Sequence, residues 1–253
     1  MHHVKIQIIL LERRDIKMIV PTLMYHSVEK ESDDYLTVSC SKFQKHIEHL
    51  SSAYNIIRVQ DVLSAIEKKE QLPPNSIVIT FDDSYENNFT NALPILQQYS
   101  AKAVFFVVAG YLDNYNLWNR KSFKLIRHMS IDNIMLLCSL GYEIGNHTLT
   151  HQRLTKLTDD LLNNELSESN KILTSIIGSQ PYVFAYPYGG ADERCAEICN
   201  KIFKTSFSTT RMGSYDWENN PSYIRRIYIS PNDGTKELDE KIMNYFGETY
   251  NDT

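Results

Sequence analysis

Ile77-Val78-Ile79-Thr80-Phe81-Asp82-Asp83-Ser84-Tyr85 decides the fold. Four apolar or β-branched residues, enough for a buried strand, lead into Phe81 and two adjacent carboxylates, and a helical pattern starts a few residues later. The carboxylates therefore sit at the C-terminal mouth of a strand, the rim on which α/β architectures place their chemistry. Like charges side by side repel, so a pair held there needs a cation or a shared proton to offset the repulsion. A divalent metal would serve. The plainer reading has one carboxylate capping the following helix and the other solvated.

On the N-terminal side of this stretch, residues 18–26 read as a first strand with His26 near its end and Pro21 at an edge or bulge. Ser39 or Ser41 caps a helix whose apolar positions are Phe43, Ile47 and Leu50; residues 56–59 form a short strand, and Val62, Leu63 and Ile66 mark a second helix. On the C-terminal side, residues 89–99 are helical with a kink at Pro94, and residues 103–108 are a strand apolar on both faces. Such strands belong to parallel sheets covered by helices. Residues 120–140 carry helical material broken near Ser130, a short strand at 142–144 leads to His147, and Thr158 caps a long helix that Gly178 stops. A strand at 182–186, a helix at 192–203, a strand near Ser206, a strand at 224–229 and a helix at 238–246 complete the chain. Strand and helix alternate throughout, which predicts parallel strands with right-handed crossovers and, at this number, a closed or nearly closed α/β barrel.

The 253 residues, 42% of them hydrophobic, suffice for one large domain at 18–253, with residues 1–17 as an N-terminal appendage because Met18 opens a cleaner start. A net charge of -5 without a Lys/Arg block argues against a nucleic-acid partner and for a small or extended neutral substrate. No run reaches the roughly eighteen apolar residues of a membrane span. The run at 6–11 is too brief for an export signal, and Glu12 to Asp15 stand where its cleavage site should be. As written the chain reads as cytoplasmic, with export left open if the native N-terminus differs; oligomeric state is not legible. Cys40, Cys138, Cys195 and Cys199 form no CxxC pair and read as reduced thiols.

Gly145-Asn146-His147-Thr148-Leu149-Thr150-His151 supplies two imidazoles four residues apart after a strand. In a parallel barrel they open onto the same rim as the Asp pair, and two His with one carboxylate form a facial set that leaves coordination positions for water and substrate.

Thr80-Phe81-Asp82-Asp83-Ser84-Tyr85, His147-Thr148-Leu149-Thr150-His151 and Tyr186-Pro187-Tyr188-Gly189, in that order and spacing, resemble the first three motifs of the polysaccharide deacetylases, the NodB-homology carbohydrate esterases. The resemblance implies a distorted (β/α)7 barrel and metal-dependent removal of acetyl groups from sugars. It implies Asp83, His147 and His151 as metal ligands, Asp82 as general base, and the backbone N–H of Tyr188 as an oxyanion donor. The metal would be a divalent ion, zinc first, with cobalt, nickel or iron as alternatives.

Three departures stand out. Ala185 occupies the position of the family's usual base-orienting Arg, for which Arg226 is the candidate substitute, with a surface ion pair as its other reading. Ser84 replaces the usual Gly. No His follows His151 to act as general acid, but Leu23-Met24-Tyr25-His26 resembles the circularly permuted poly-N-acetylglucosamine deacetylase branch, which makes His26 the acid. Asp216-Trp217 weakly resembles the fourth motif, with Trp217 lining the acetyl pocket, and Tyr25 and Tyr188 are placed beside the substrate. The expected activity is N-deacetylation of amino sugars in a polysaccharide, oligosaccharide or glycan precursor. Its rivals are an inactive carbohydrate-binding barrel and an O-acetyl esterase or deformylase.

Overall fold

The computed structural model describes residues 18–31, 34–116, 125–210 and 213–251, with side chains to residue 247. The expected appendage at 1–17 and the start of the helical material at 120–140 lie outside the described residues. In chain order the elements are β1 (Thr22–Tyr25), β2 (Ser27–Glu29), β3 (Thr37–Ser39), α1 (Cys40–Ala53), β4 (Asn55–Ile56), α2 (Val59–Lys68) and β5 (Ser76–Phe81). They continue with α3 (Leu93–Gln98), β6 (Val104–Val107), α4 (Ile131–Ser139), β7 (Glu143–Asn146), α5 (Asp159–Ile177), β8 (Val183–Ala185), α6 (Glu193–Asn200) and β9 (Thr205–Ser208). The last are β10 (Ile224–Arg225), β11 (Ile227–Tyr228) and α7 (Thr235–Asn251).

β1, β5, β6, β7, β8 and β9 lie side by side in parallel. The segment after them closes the ring. Its first half, β10, pairs with β9, and its second half, β11, pairs with β1, so one strand interrupted at Arg226 joins both ends of the sheet. The result is a seven-stranded parallel barrel distorted at that interruption, with β4 added beside β5 at the rim. An additional parallel pair, β2 with β3, projects past the end of β1 and was not legible in the sequence.

Local chemistry explains most element ends. Ser39 accepts a hydrogen bond from Lys42 N at the start of α1, and Ser130 and Asn133 cap α4 reciprocally. Thr158 holds the cap position of α5 without a side-chain bond, and Gly178, in the left-handed region, ends that helix. The expected kink at Pro94 is a π-helical turn, Asn88–Ala92, followed by α3: proline offers no N–H to an α-helical ladder, and the preceding turn widens.

Inward-facing side chains fill the barrel. Val20, Val78, Val104, Phe106, Val183, Ala185, Phe207, Trp217 and Ile224 form one buried apolar cluster, closed at the N-terminal end by Val59 and Val62 of α2. Gly145 is needed there, because a Cβ would stand 2.3 Å from the Phe106 ring. Trp217 is 1% exposed and donates its indole N–H to Val20 O at 3.2 Å, below the first residue of β1. It plugs the end of the barrel opposite the carboxylates, which corrects its expected place in the acetyl pocket.

Candidate active site and metal centre

Every strand delivers its chemistry to the same C-terminal rim. β5 leads into Asp82 and Asp83, β7 into His147, β8 toward Tyr188, and β1 into His26. The register Tyr25↔Phe81 sets His26 opposite Asp82, and Asp82 N donates to Tyr25 O at 3.0 Å. Met24, His26, Tyr35, Asp82, Asp83, His147, His151, Arg153, Tyr188 and Tyr228 line a cavity of about 470 Å³.

The two carboxylates have different partners. Asp82 receives Arg226 Nη1 and Nη2 at 2.6 Å each, a two-pronged pair in which the Arg226 side chain is wholly buried. Arg226 reaches inward because it occupies the break between β10 and β11; it lies over Phe106 and Phe207 and donates to Thr80 Oγ1 at 3.1 Å. The surface ion-pair reading of Arg226 is thereby removed. Burial pushes the Asp82 carboxyl up, but Arg226, together with His147 and His26, holds the group below the ordinary value.

Asp83 faces the imidazoles. Its Oδ1 lies 3.4 Å from His147 Nε2 and 3.1 Å from His151 Nε2, and one ligand atom from each of the three residues falls within 4.8 Å of the others. Burial raises the Asp83 carboxyl, yet the neighbouring imidazoles carry it well below the usual range. His147 Nδ1 donates to Ala185 O at 2.7 Å, which leaves the Nε2 lone pair directed at Asp83. Asp83 Oδ1 is enclosed and makes no hydrogen bond. An enclosed carboxylate oxygen converging with two imidazole nitrogens fits a divalent cation, and the nitrogen and oxygen donors suit zinc-like ions.

Strain and bracing are concentrated here. Asp83, Ser84, Thr148, His151 and Tyr188 all have positive φ without being glycine. The histidine loop is held by Asn146 Oδ1 on Thr148 N at 2.7 Å, by Thr148 Oγ1 on His151 N at 3.0 Å, and by the Glu165 carboxylate on Leu149 N and Thr150 N. Glu165 is a site residue missed in the sequence. Its signal was a carboxylate on the apolar face of α5, between Leu162 and Leu166.

Tyr188 is 46% exposed at the cavity mouth, with its ring 4.7 Å from that of His151 and the Arg153 guanidinium 4.0 Å over it. Tyr25 is a correction. It is fully buried outside the barrel, stacked on Phe81 and hydrogen-bonded to His46, because successive strand residues face opposite ways and His26 takes the cavity side. Tyr228, two residues from Arg226, lines the cavity in its place, with its ring 6.4 Å from that of His26. Asp216 caps its own turn, accepting from Glu218 N and Asn219 N. Cys195 and Cys199 are buried thiols in α6.

A parallel barrel whose C-terminal rim gathers an Asp-His-His group beside an arginine-held carboxylate defines a metal-dependent hydrolase of the sugar-deacetylating kind. The chain belongs to the polysaccharide deacetylase family, whose family model matches residues 69–207. These enzymes act on C–N bonds other than peptide bonds. A poly-beta-1,6-N-acetyl-D-glucosamine N-deacetylase of Staphylococcus aureus is 27% identical over 231 residues, covering 86% of this chain and 78% of the relative. Among solved structures, the Streptococcus pyogenes deacetylase PplD in complex with acetate superposes with a TM-score of 0.76 at 23% identity, covering 89% of this chain and 98% of that one. IcaB from Ammonifex degensii gives 0.75 at 21% identity over 88% and 96%. Both share the barrel fold. No helix among the described residues is long and apolar enough to cross a membrane.

Proposed function

We propose that this chain removes N-acetyl groups from amino sugars of a polysaccharide or oligosaccharide, with Asp83, His147 and His151 holding one divalent ion, zinc first. The observation that carries the reading is the division of labour between neighbouring carboxylates: Asp83 converges with two imidazoles, while Asp82 is held by Arg226 on the same cavity wall. The bound ion would acidify a water and polarise the acetyl carbonyl. Asp82, ionised and fixed in orientation by Arg226, accepts the water's proton. His26, across the β1–β5 register, gives a proton to the amine nitrogen as the C–N bond breaks. The Tyr188 N–H donates to the oxygen that becomes negative. Tyr188 and Tyr228 offer ring faces and hydroxyls to the sugar.

An inactive barrel would need a poorly oriented Asp82, and the two 2.6 Å bonds from Arg226 support the catalytic reading instead. The test is acetate release from N-acetylated glucosamine oligosaccharides by the zinc-loaded protein. Release that is lost in Asp82→Asn while bound zinc is kept supports the reading; no release from N-acetylated sugars alongside turnover of O-acetyl or formyl substrates rejects it.

A further inference from the structure

The general acid lacks the usual means of orientation. His26 Nδ1 is enclosed and makes no hydrogen bond, and Asp216 is engaged in its own turn. The backbone around His26 is instead fixed from outside the cavity. The widened turn Asn88–Ala92 and the residue before it point three carboxamides at the 26–29 segment. Asn88 Nδ2 donates to His26 O at 2.6 Å, Asn87 Nδ2 donates to Ser27 Oγ at 2.8 Å and Glu29 Oε1 at 3.1 Å, and Asn91 Nδ2 donates to Val28 O at 2.8 Å.

We propose that Asn88 is the positioning residue of the general acid, acting through the His26 carbonyl, with Asn87 and Asn91 bracing the strand that follows. The proposal rests on His26 as the acid in the reading above. Three features support it. Asn88 is completely buried, so its amide is not a solvated surface group that happens to touch β1. Bonds on both sides of the His26 carbonyl contribute: Tyr25 O is taken by the N–H of Asp82, and Ser27 N donates to Leu36 O at 3.3 Å. With the Asn88 bond added, the backbone bearing the acid is tied at three consecutive residues, one of those ties running to the base itself. Finally, the turn is π-helical, and such turns recur at functional sites. Asn88 follows the Asp pair by few enough residues that one continuous segment carries the base, a metal ligand and the acid's support.

The consequence concerns the leaving group. A sugar amine needs a proton as it departs, whereas 4-nitrophenolate leaves without one, so misplacing His26 slows amide hydrolysis and spares hydrolysis of 4-nitrophenyl acetate. The experiment compares zinc-loaded wild type, His26→Ala, Asn88→Ala and Asn88→Ser on an N-acetylglucosamine oligosaccharide and on 4-nitrophenyl acetate, with bound zinc measured in each. Expected for both Asn88 variants is a fall in amide kcat of about tenfold to a hundredfold, with KM and ester turnover within about twofold and zinc unchanged. Asn91→Ala, one bond further from the acid, should fall less. Amide and ester activity declining together, or amide turnover unchanged in a folded Asn88 variant, overturns the proposal. If His26→Ala itself keeps full amide turnover, the acid assignment fails first; if His26→Ala shows the leaving-group split and the Asn88 variants do not, only the positioning role fails.

Discussion

The two ends of the barrel solve opposite problems with the same strands. At the N-terminal end Val20, Val78, Val104, Val183 and Trp217 pack as an apolar plug, and its one conspicuous polar group, the Trp217 indole N–H, is matched to Val20 O. At the C-terminal rim the lumen holds Asp82, Asp83, His147, His151 and Arg226, all buried, with five strained backbone conformations around them. Burying charge is costly unless each group is paired. The rim is therefore stable only as a complete set, whereas the plug tolerates changes in proportion to the area removed. Folding free energy comes from one end and is partly spent at the other.

Substitutions at the two ends should separate accordingly. The largest effect is expected for His147→Ala or His151→Ala, each of which should abolish zinc binding and acetate release together, as read by metal content and product assay. Next comes Asp82→Asn, for which turnover should fall about 10²- to 10⁴-fold, the usual reach of general-base catalysis, with zinc retained. At the opposite end Trp217→Ala should cost about 3–5 kcal/mol in denaturant unfolding, while kcat per folded molecule stays within about twofold. A comparable loss of kcat there would erase the distinction between the two ends.

The smallest effect is a pH dependence that belongs to neither end. His46, on α1, donates Nε2–H to Asp233 O and accepts from the Tyr25 hydroxyl at Nδ1, a neutral imidazole whose pKa burial lowers from 6.5. A histidine with a depressed folded pKa favours the native state above its unfolded value, and that contribution is lost as pH falls below about 6.5 toward the depressed value. Thermal unfolding should therefore drop between pH 7 and pH 5, and His46→Gln should flatten that drop. An identical slope in the variant removes this group from the account.

Much of the rim was legible because its residues follow strands. Asp82 and Asp83 stand just past an apolar run, His147 and His151 follow a short strand, and alternation of strand and helix places both sets at one end of a barrel. Arg226 was legible through a vacancy, the Ala185 that left a base without its partner. What placed it, however, was the interruption of the last strand, and the sequence 224–229 reads as unbroken. Tyr25 turns away from the cavity because of the two-residue strand period: with His26 facing the cavity, its neighbour must face away. Trp217 sits in a loop, where no period says which way a ring turns. Asn88 stands just before the helix expected at 89–99, and nothing in the sequence singles it out, since the wide turn that aims it depends on proline chemistry six residues on.

The central claim is that two adjacent aspartates have separate duties, one in holding an ion and the other in moving a proton. Calorimetric zinc titration of the metal-free protein and of its Asp82→Asn and Asp83→Asn variants tests this most directly. The account predicts one tightly bound ion for wild type and Asp82→Asn and none for Asp83→Asn. Wild-type zinc affinity in Asp83→Asn, or its loss in Asp82→Asn, would contradict it.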